Sequence, residues 1–326
     1  MNPGRRTEGP RHQVPPRSAA VRLADVPAQR TGDRDRRLPR RRHRRLPDSR
    51  ARTLEILESW FERIVAELAQ AEREHPGRIA PWAANLIAHR SNPRVADELA
   101  LIVKYRALIV IVAWAKPGPI VDAIHDYGGL VFSDVNSIEH ARKAAAAGVD
   151  GLVLVTAGAG GHTGDISPFA FVPAVREFFD GPLVVGGGIV DGRGIRAVEV
   201  LGADFANLGT RFIATRECLA SDAYKQMLID SETRDVVATP YFTGVRANYL
   251  MPSILRAGID PEELRKPAPK IDLQAGGGAK AWKDIWSAGH GVFATKDVQG
   301  VAELVQQLAA EYQRAAAASG GVSSGA

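Results

Sequence analysis

The sequence holds one cysteine, Cys218, in 326 residues. A single thiol excludes an internal disulfide and fits a reducing compartment. No histidine stands near Cys218 in sequence, so it reads as a packed or surface thiol rather than a nucleophile. Cysteines and histidines nowhere cluster at zinc-binding spacing, and no metal is expected. No apolar run approaches the roughly 20 residues of a membrane span. The N-terminus lacks the apolar stretch of a secretory signal. The expected location is therefore the cytoplasm, with no membrane partner.

Lysine is missing from residues 1–50, yet that segment carries fifteen arginines against five acidic residues. It is near +10, the remainder of the chain near −5, and the overall +5 belongs to the leader. A block such as Arg34 to Arg45 attracts polyanions. It has no interleaved aromatics and no helical or strand period, so it is not a folded reader of bases. Residues 1–50 are expected to be a disordered leader or a coding region read in a shifted frame, with no specific nucleic-acid partner.

What is present begins at Ala51. The run Thr53 to Leu68 has helical spacing of apolar residues, with Thr53 as its N-cap. Short apolar runs then alternate with helical segments. The expected strands are Ile79–Ala88, Ala107–Ala113, Leu130–Phe132, Gly151–Val155, Leu183–Val185 and Phe205–Asn207. Between them lie expected helices at Pro93–Tyr105, Pro119–Tyr127, Ile138–Ala147, Pro168–Phe179 and Gly194–Leu201. Continuous apolar strands alternating with helices specify a parallel sheet covered on both faces. A closed barrel takes eight strands and typically roughly 250 residues. Six are legible here, and the missing two would stand where the arginine-rich leader lies.

After Phe212 the pattern loosens into an expected cap. Ser221–Asp230 reads as a helix and Asp235–Thr239 as a strand or extended edge. Ala247–Gly258, Pro261–Arg265 and Trp282–Ser287 read as short helices, and Gly276-Gly277-Gly278 as a turn. Val298–Ala315 is a closing amphipathic helix. The expected division is a leader at 1–50, a barrel at 51–315 with a cap insertion at about 215–290, and a disordered tail at 316–326.

Three glycine-rich stations follow expected strands. The first is Ala159-Gly160-Gly161-His162-Thr163-Gly164, the second Gly186-Gly187-Gly188, the third Gly209-Thr210-Arg211-Phe212. Glycines at two successive strand ends, the first of them opening into a helix-like stretch, allow close backbone approach to a phosphate. The alternative is that they are only tight turns. His162 sits in a loop after a strand, where an imidazole can take or hold a proton near neutrality. Asn85 is an amide inside an apolar strand and needs a partner. Ser133 and Asp134 stand at a strand's C-terminal end, either toward a ligand or capping the next helix. Tyr241, Phe242, Tyr249 and Trp286 either wall a pocket or simply pack. His75, His89, His125 and His140 carry no motif and are taken as structural.

These stations, with Gly148-Val149-Asp150-Gly151, Asp191-Gly192-Arg193 and Gly202-Ala203-Asp204, resemble the nitronate monooxygenase (2-nitropropane dioxygenase) family over about Ala51 to Ala315. Trp286-Ser287-Ala288-Gly289-His290-Gly291 resembles a later family segment, with His290 in the place of a glutamine. The family's first strand has no counterpart. The resemblance implies an α/β fold, a (β/α)8 TIM barrel apparently lacking its first strands, with a small, mostly helical cap. It implies FMN as cofactor, held by Asn85, Gly160, Gly161, Gly187, Gly188, Gly209 and Thr210, with His162 as the catalytic base or hydrogen-bond donor. The implied reaction is oxidation of alkyl nitronates or nitroalkanes by O2 to a carbonyl compound and nitrite. Two other readings stay open. One is an FMN-dependent enoyl-acyl-carrier-protein reductase. The other is an inactive, flavin-free remnant whose leader attracts nucleic acid.

Overall fold

The computed structural model describes residues 24–25, 44–47, 53–77, 79–113, 118–266 and 285–320. Two short strands come first, β1 (Ala24–Asp25) and β2 (Arg44–Pro47). They are followed by α1 (Leu54–Glu74), whose first turn is closed by the Thr53 hydroxyl accepting from the Ile56 N–H. Alternation then sets in: β3 (Ala83–Ile87), α2 (Val95–Lys104), β4 (Ile109–Ala113), α3 (Gly118–His125), β5 (Leu130–Val135) and α4 (Ile138–Ala146). It continues through β6 (Gly151–Val155), a two-residue β7 (Gly161–His162), α5 (Pro168–Arg176), β8 (Leu183–Gly186), α6 (Gly192–Val200) and β9 (Phe205–Asn207).

Eight strands form one parallel sheet in the order β1-β2-β3-β4-β5-β6-β8-β9. Six of them are those expected from the apolar runs. The other two lie within the arginine-rich leader, where no apolar run announced them. Pairing at β2 is a backbone matter, Arg45 to Pro47 lying beside Ala83 to Asn85.

Alternation along the strands separates two cores. Ala83, Ile111, Phe132, Val153 and Val184 fill the interior with Ile109, Leu130 and Phe205 against them. Ala84, Leu86, Val110, Val112, Leu152, Leu154 and Val185 face outward beneath the helices. A parallel sheet with an apolar filling on its inner face and helices outside is TIM-barrel architecture. Functional groups are then expected at the C-terminal ends of the strands.

The opposite end is held by a repeated device. Gly148 and Gly202 turn with φ of +84° and +106°, and each is followed two residues later by an aspartate at the start of a strand. Asp150 accepts the Val131 N–H at 2.7 Å and pairs with His125 Nε2 at 2.8 Å. Asp204 accepts the Leu183 N–H at 2.9 Å and pairs with the Arg176 guanidinium at 2.5 Å. Each carboxylate ties the next chain segment to the neighbouring strand, so these motifs are structural.

Beyond β9 come α7 (Thr210–Ile213), α8 (Asp222–Asp230), β10 (Val236–Thr239), β11 (Ala247–Leu250) and α9 (Met251–Arg256). The last helix, α10 (Val301–Gly320), packs on α6. Two expectations are corrected. Ala247–Gly258 is not a single helix, because its first four residues form β11, paired antiparallel with both β10 and β7. Ile285–Ser287 is not helical. The Trp286 N–H donates to the Ser253 hydroxyl and its carbonyl accepts from the Leu250 N–H, so its bonds are spent across elements. The glycine run at 276–278 and residues 282–284 lie outside the described residues. Among the described residues no helix is long and apolar enough to cross a membrane.

Candidate active site

β6, β8 and β9 are neighbours in the sheet, and each ends in a glycine-rich station. The structure thus brings Gly160, Gly161, His162, Gly187, Gly188, Gly209 and Thr210 to one end of three adjacent strands. Gly186 lies beside Val155 on one side and Asn207 on the other.

The two glycines after β8 differ in what demands them. Gly187 has φ +137°, and a Cβ there would overlap the Thr156 hydroxyl. Thr156 is itself buried and donates to the Gly186 carbonyl at 3.0 Å. Gly187 is therefore required by the protein's own packing. Gly188 has φ +68°, and a Cβ built there would meet no atom within 4 Å. A side chain there would point into open space at the turn into α6, so only the positive φ calls for glycine. The Asp191 carboxylate starts α6 by accepting the Gly194 N–H at 2.9 Å.

The third station is clasped to the second. Arg211 donates from Nη1 to the Val190 carbonyl at 3.1 Å. The Thr210 hydroxyl accepts the Gly289 N–H at 2.9 Å. That turn also presses on the first station, since the His290 N–H donates to the Gly158 carbonyl at 2.9 Å. A Cβ on Gly160 would come within 2.7 Å of the Gly289 nitrogen. The His290 ring itself is exposed and lies against Gly158. The Trp286–Gly291 motif is therefore a brace joining two stations.

His162 sits on β7, which pairs antiparallel with β11, Ala247 opposite His162 and Asn248 opposite Gly161. Burial holds its ring well below the ordinary histidine value, at about 4. The imidazole is consequently neutral at pH 7 and able to accept a proton.

Asn85 lies on β3, three strands from β6, and is 4% exposed. Its neighbours Ala84 and Leu86 belong to the outer core and Ala83 to the inner one, so Asn85 faces the barrel interior. The same alternation turns Asp134 inward and Ser133 outward, and turns Asn207 inward from β9. Asn207 was given no role from sequence, because which face of β9 lines the interior is decided only by the packing.

Phe242 makes edge-to-face contacts with both Tyr241 and Tyr249, and Tyr249 is fully buried. Trp286 stacks on Tyr224 at 4.8 Å, with the Arg256 guanidinium 3.5 Å from its ring centre. These contacts are cap packing. His89, His125 and His140 bond to Ser91, Asp150 and Asn136, as structural histidines do. Cys218 is buried.

The nitronate monooxygenase family model matches residues 62–311. A nitronate monooxygenase of Paraburkholderia phytofirmans is 29% identical over 235 residues, covering 66% of this chain and 64% of that protein. The (3aS,4S,5R,7aS)-5-hydroxy-7a-methyl-1-oxo-octahydro-1H-indene-4-carboxyl-CoA dehydrogenase of Mycobacterium tuberculosis is 27% identical over 168 residues, covering 51% of this chain and 47% of that protein. FabK from Thermotoga maritima shares the fold, with a TM-score of 0.66 at 20% identity over 86% of this chain and 88% of that one. The chain spans about half the length of the first curated relatives it matches.

Proposed function

This chain belongs to the nitronate monooxygenase family, and from that premise we propose that it binds FMN and oxidises alkyl nitronates or nitroalkanes with O2 to a carbonyl compound and nitrite. The observation that carries the reading is the convergence of His162 and two glycine stations on three adjacent strand ends. The residues present fit a flavin. Gly188, with positive φ and open space before it, offers a backbone approach for the phosphate. Gly187, Gly209 and Thr210 would complete the phosphate side, and Asn85, Gly160 and Gly161 would hold the ring. When bound, the flavin supplies the electron transfer between substrate and O2 that no side chain provides.

The chain's own groups handle position and protons. The neutral His162 ring accepts the proton from the carbon next to the nitro group. The imidazolium formed then stands beside a nitronate anion, and opposite charges in a buried site favour each other. This pairing offsets the burial that keeps the free ring neutral. When a ready-made nitronate binds, His162 orients the anion by hydrogen bonding. Cap strand β11, whose Tyr249 is fully buried, covers one edge of the His162 strand.

The test is the visible spectrum of the purified chain, identification of the chromophore released on heating, and oxygen uptake with ethyl nitronate. A flavin spectrum, released FMN and nitrite formation support the proposal. Rapid anaerobic bleaching by NAD(P)H without nitronate oxidation would replace it with the flavin-dependent enoyl reductase reading.

A further inference from the structure

We infer that Asn248, a cap residue, positions the His162 loop, so that cap strand β11 sets where the imidazole stands. The inference rests on the reading of His162 as the proton-handling residue. Asn248 grips the loop twice. Its backbone lies opposite Gly161 in the antiparallel ladder, one residue from the Ala247–His162 pair. Its side-chain Nδ2 donates to the Ala159 carbonyl at 2.7 Å.

The loop needs such an anchor because it has almost no side chains of its own. Gly158 and Gly161 adopt φ of +88° and +73°, and Gly160 lies between them. A backbone of this kind loses much entropy when fixed. The local bond from the Ala159 N–H to the Thr156 carbonyl is long, at 3.3 Å. The Thr163 hydroxyl to the same carbonyl is also 3.3 Å. The Asn248 bond is shorter than either, and it comes from a residue 89 positions away.

Packing alone does not account for an amide here. Asn248 is 1% exposed, and its Oδ1 is buried without a hydrogen-bond partner among the described residues. An unpaired buried carbonyl carries a penalty that an apolar side chain of similar size avoids. The donor end, toward Ala159, is what distinguishes asparagine at this place. Asn248 does not itself have to touch substrate, so it is a positioning residue.

A double-mutant cycle on the FMN-loaded full chain tests this, with nitroethane, whose carbon must first be deprotonated, as substrate. Asn248→Ala is expected to lower kcat roughly 10–100-fold, the scale of a misplaced reacting group, with KM little changed. In a His162→Ala background the same substitution is expected to change kcat by no more than about twofold. Equal losses in both backgrounds, or no loss where His162→Ala alone impairs turnover, overturn the inference. If His162→Ala leaves turnover intact, the functional reading itself fails. The positioning is then decided by NMR titration of the His162 ring. Movement of its titration toward the ordinary histidine range in Asn248→Ala supports it, and an unchanged titration overturns it. Should Asn248→Ala fail to fold, Asn248→Ser, whose hydroxyl falls short of Ala159, takes its place in the same cycle.

Discussion

Two residues carry the sharpest expectations. His162 is held neutral by burial, with a pKa of about 4. The acid limb of kcat/KM, which reports the free enzyme, is therefore expected near pH 4 rather than near the ordinary 6.5. His162→Ala should cost on the order of 10²–10⁴ in kcat with a nitroalkane, the usual worth of a positioned base. Less should be lost with a preformed nitronate, which needs no deprotonation. Stopped-flow rates on the two substrates separate these outcomes. Gly188 is the complementary case. Its Cβ would meet no protein atom, so Gly188→Ala strains only φ, at about 1–2 kcal/mol. If the open space beside it receives the phosphate, FMN binding should weaken by roughly tenfold or more. Fluorescence titration of FMN decides this, and an unchanged Kd removes Gly188 from the cofactor site.

At the scale of elements, glycine at 192 allows α6 and α10 to meet. A Cβ there would overlap the Tyr312 backbone nitrogen, and the Gly192 N–H donates to the Glu311 carboxylate at 3.0 Å. Gly192→Ala should therefore cost about 1–3 kcal/mol of stability, as overpacking does, read as a shifted urea midpoint. The aspartates at the far end of the sheet make the contrasting prediction. Asp204→Ala strips the Leu183 N–H and the Arg176 guanidinium of their shared acceptor. About 1–3 kcal/mol of stability should be lost while the kcat of the surviving folded enzyme stays unchanged. A fall in kcat would show that this end of the sheet communicates with the strand ends that carry chemistry.

For the whole molecule, the buried imidazole also links stability to pH. Above pH 6.5 neither the folded nor the unfolded chain protonates this ring, and it contributes nothing to pH dependence. Between 6.5 and about 4 the unfolded chain binds a proton that the folded chain refuses. Stability then falls as pH falls, by about 3 kcal/mol across that window. Urea unfolding at a series of pH values, repeated on His162→Gln, should show this portion of the slope disappearing in the variant.

The barrel's apolar strands were legible because runs such as Gly151–Val155 are buried on both faces and need no partner to be recognised. Helix starts were legible where a side chain caps them locally, as Thr53 does. The glycine stations were legible for the same reason, each being contained within a few residues. β2 was not, because its residues carry charge and proline and form no apolar run. β11 was misread because all four of its residues are buried, which removes the alternation that marks a strand, and Pro252 just beyond it reads as a helix start. What the sequence by itself determined is therefore everything encoded locally: the alternating elements, their caps, the flexible glycine turns and the imidazole among them. Only the tertiary structure decided which strand ends become neighbours, which way Asn85, Asp134 and Asn207 face, and that a cap asparagine 89 residues from Ala159 holds the His162 loop. Those outcomes depend on burial and on contacts between distant segments, which acquire an energy only once the chain has closed around them.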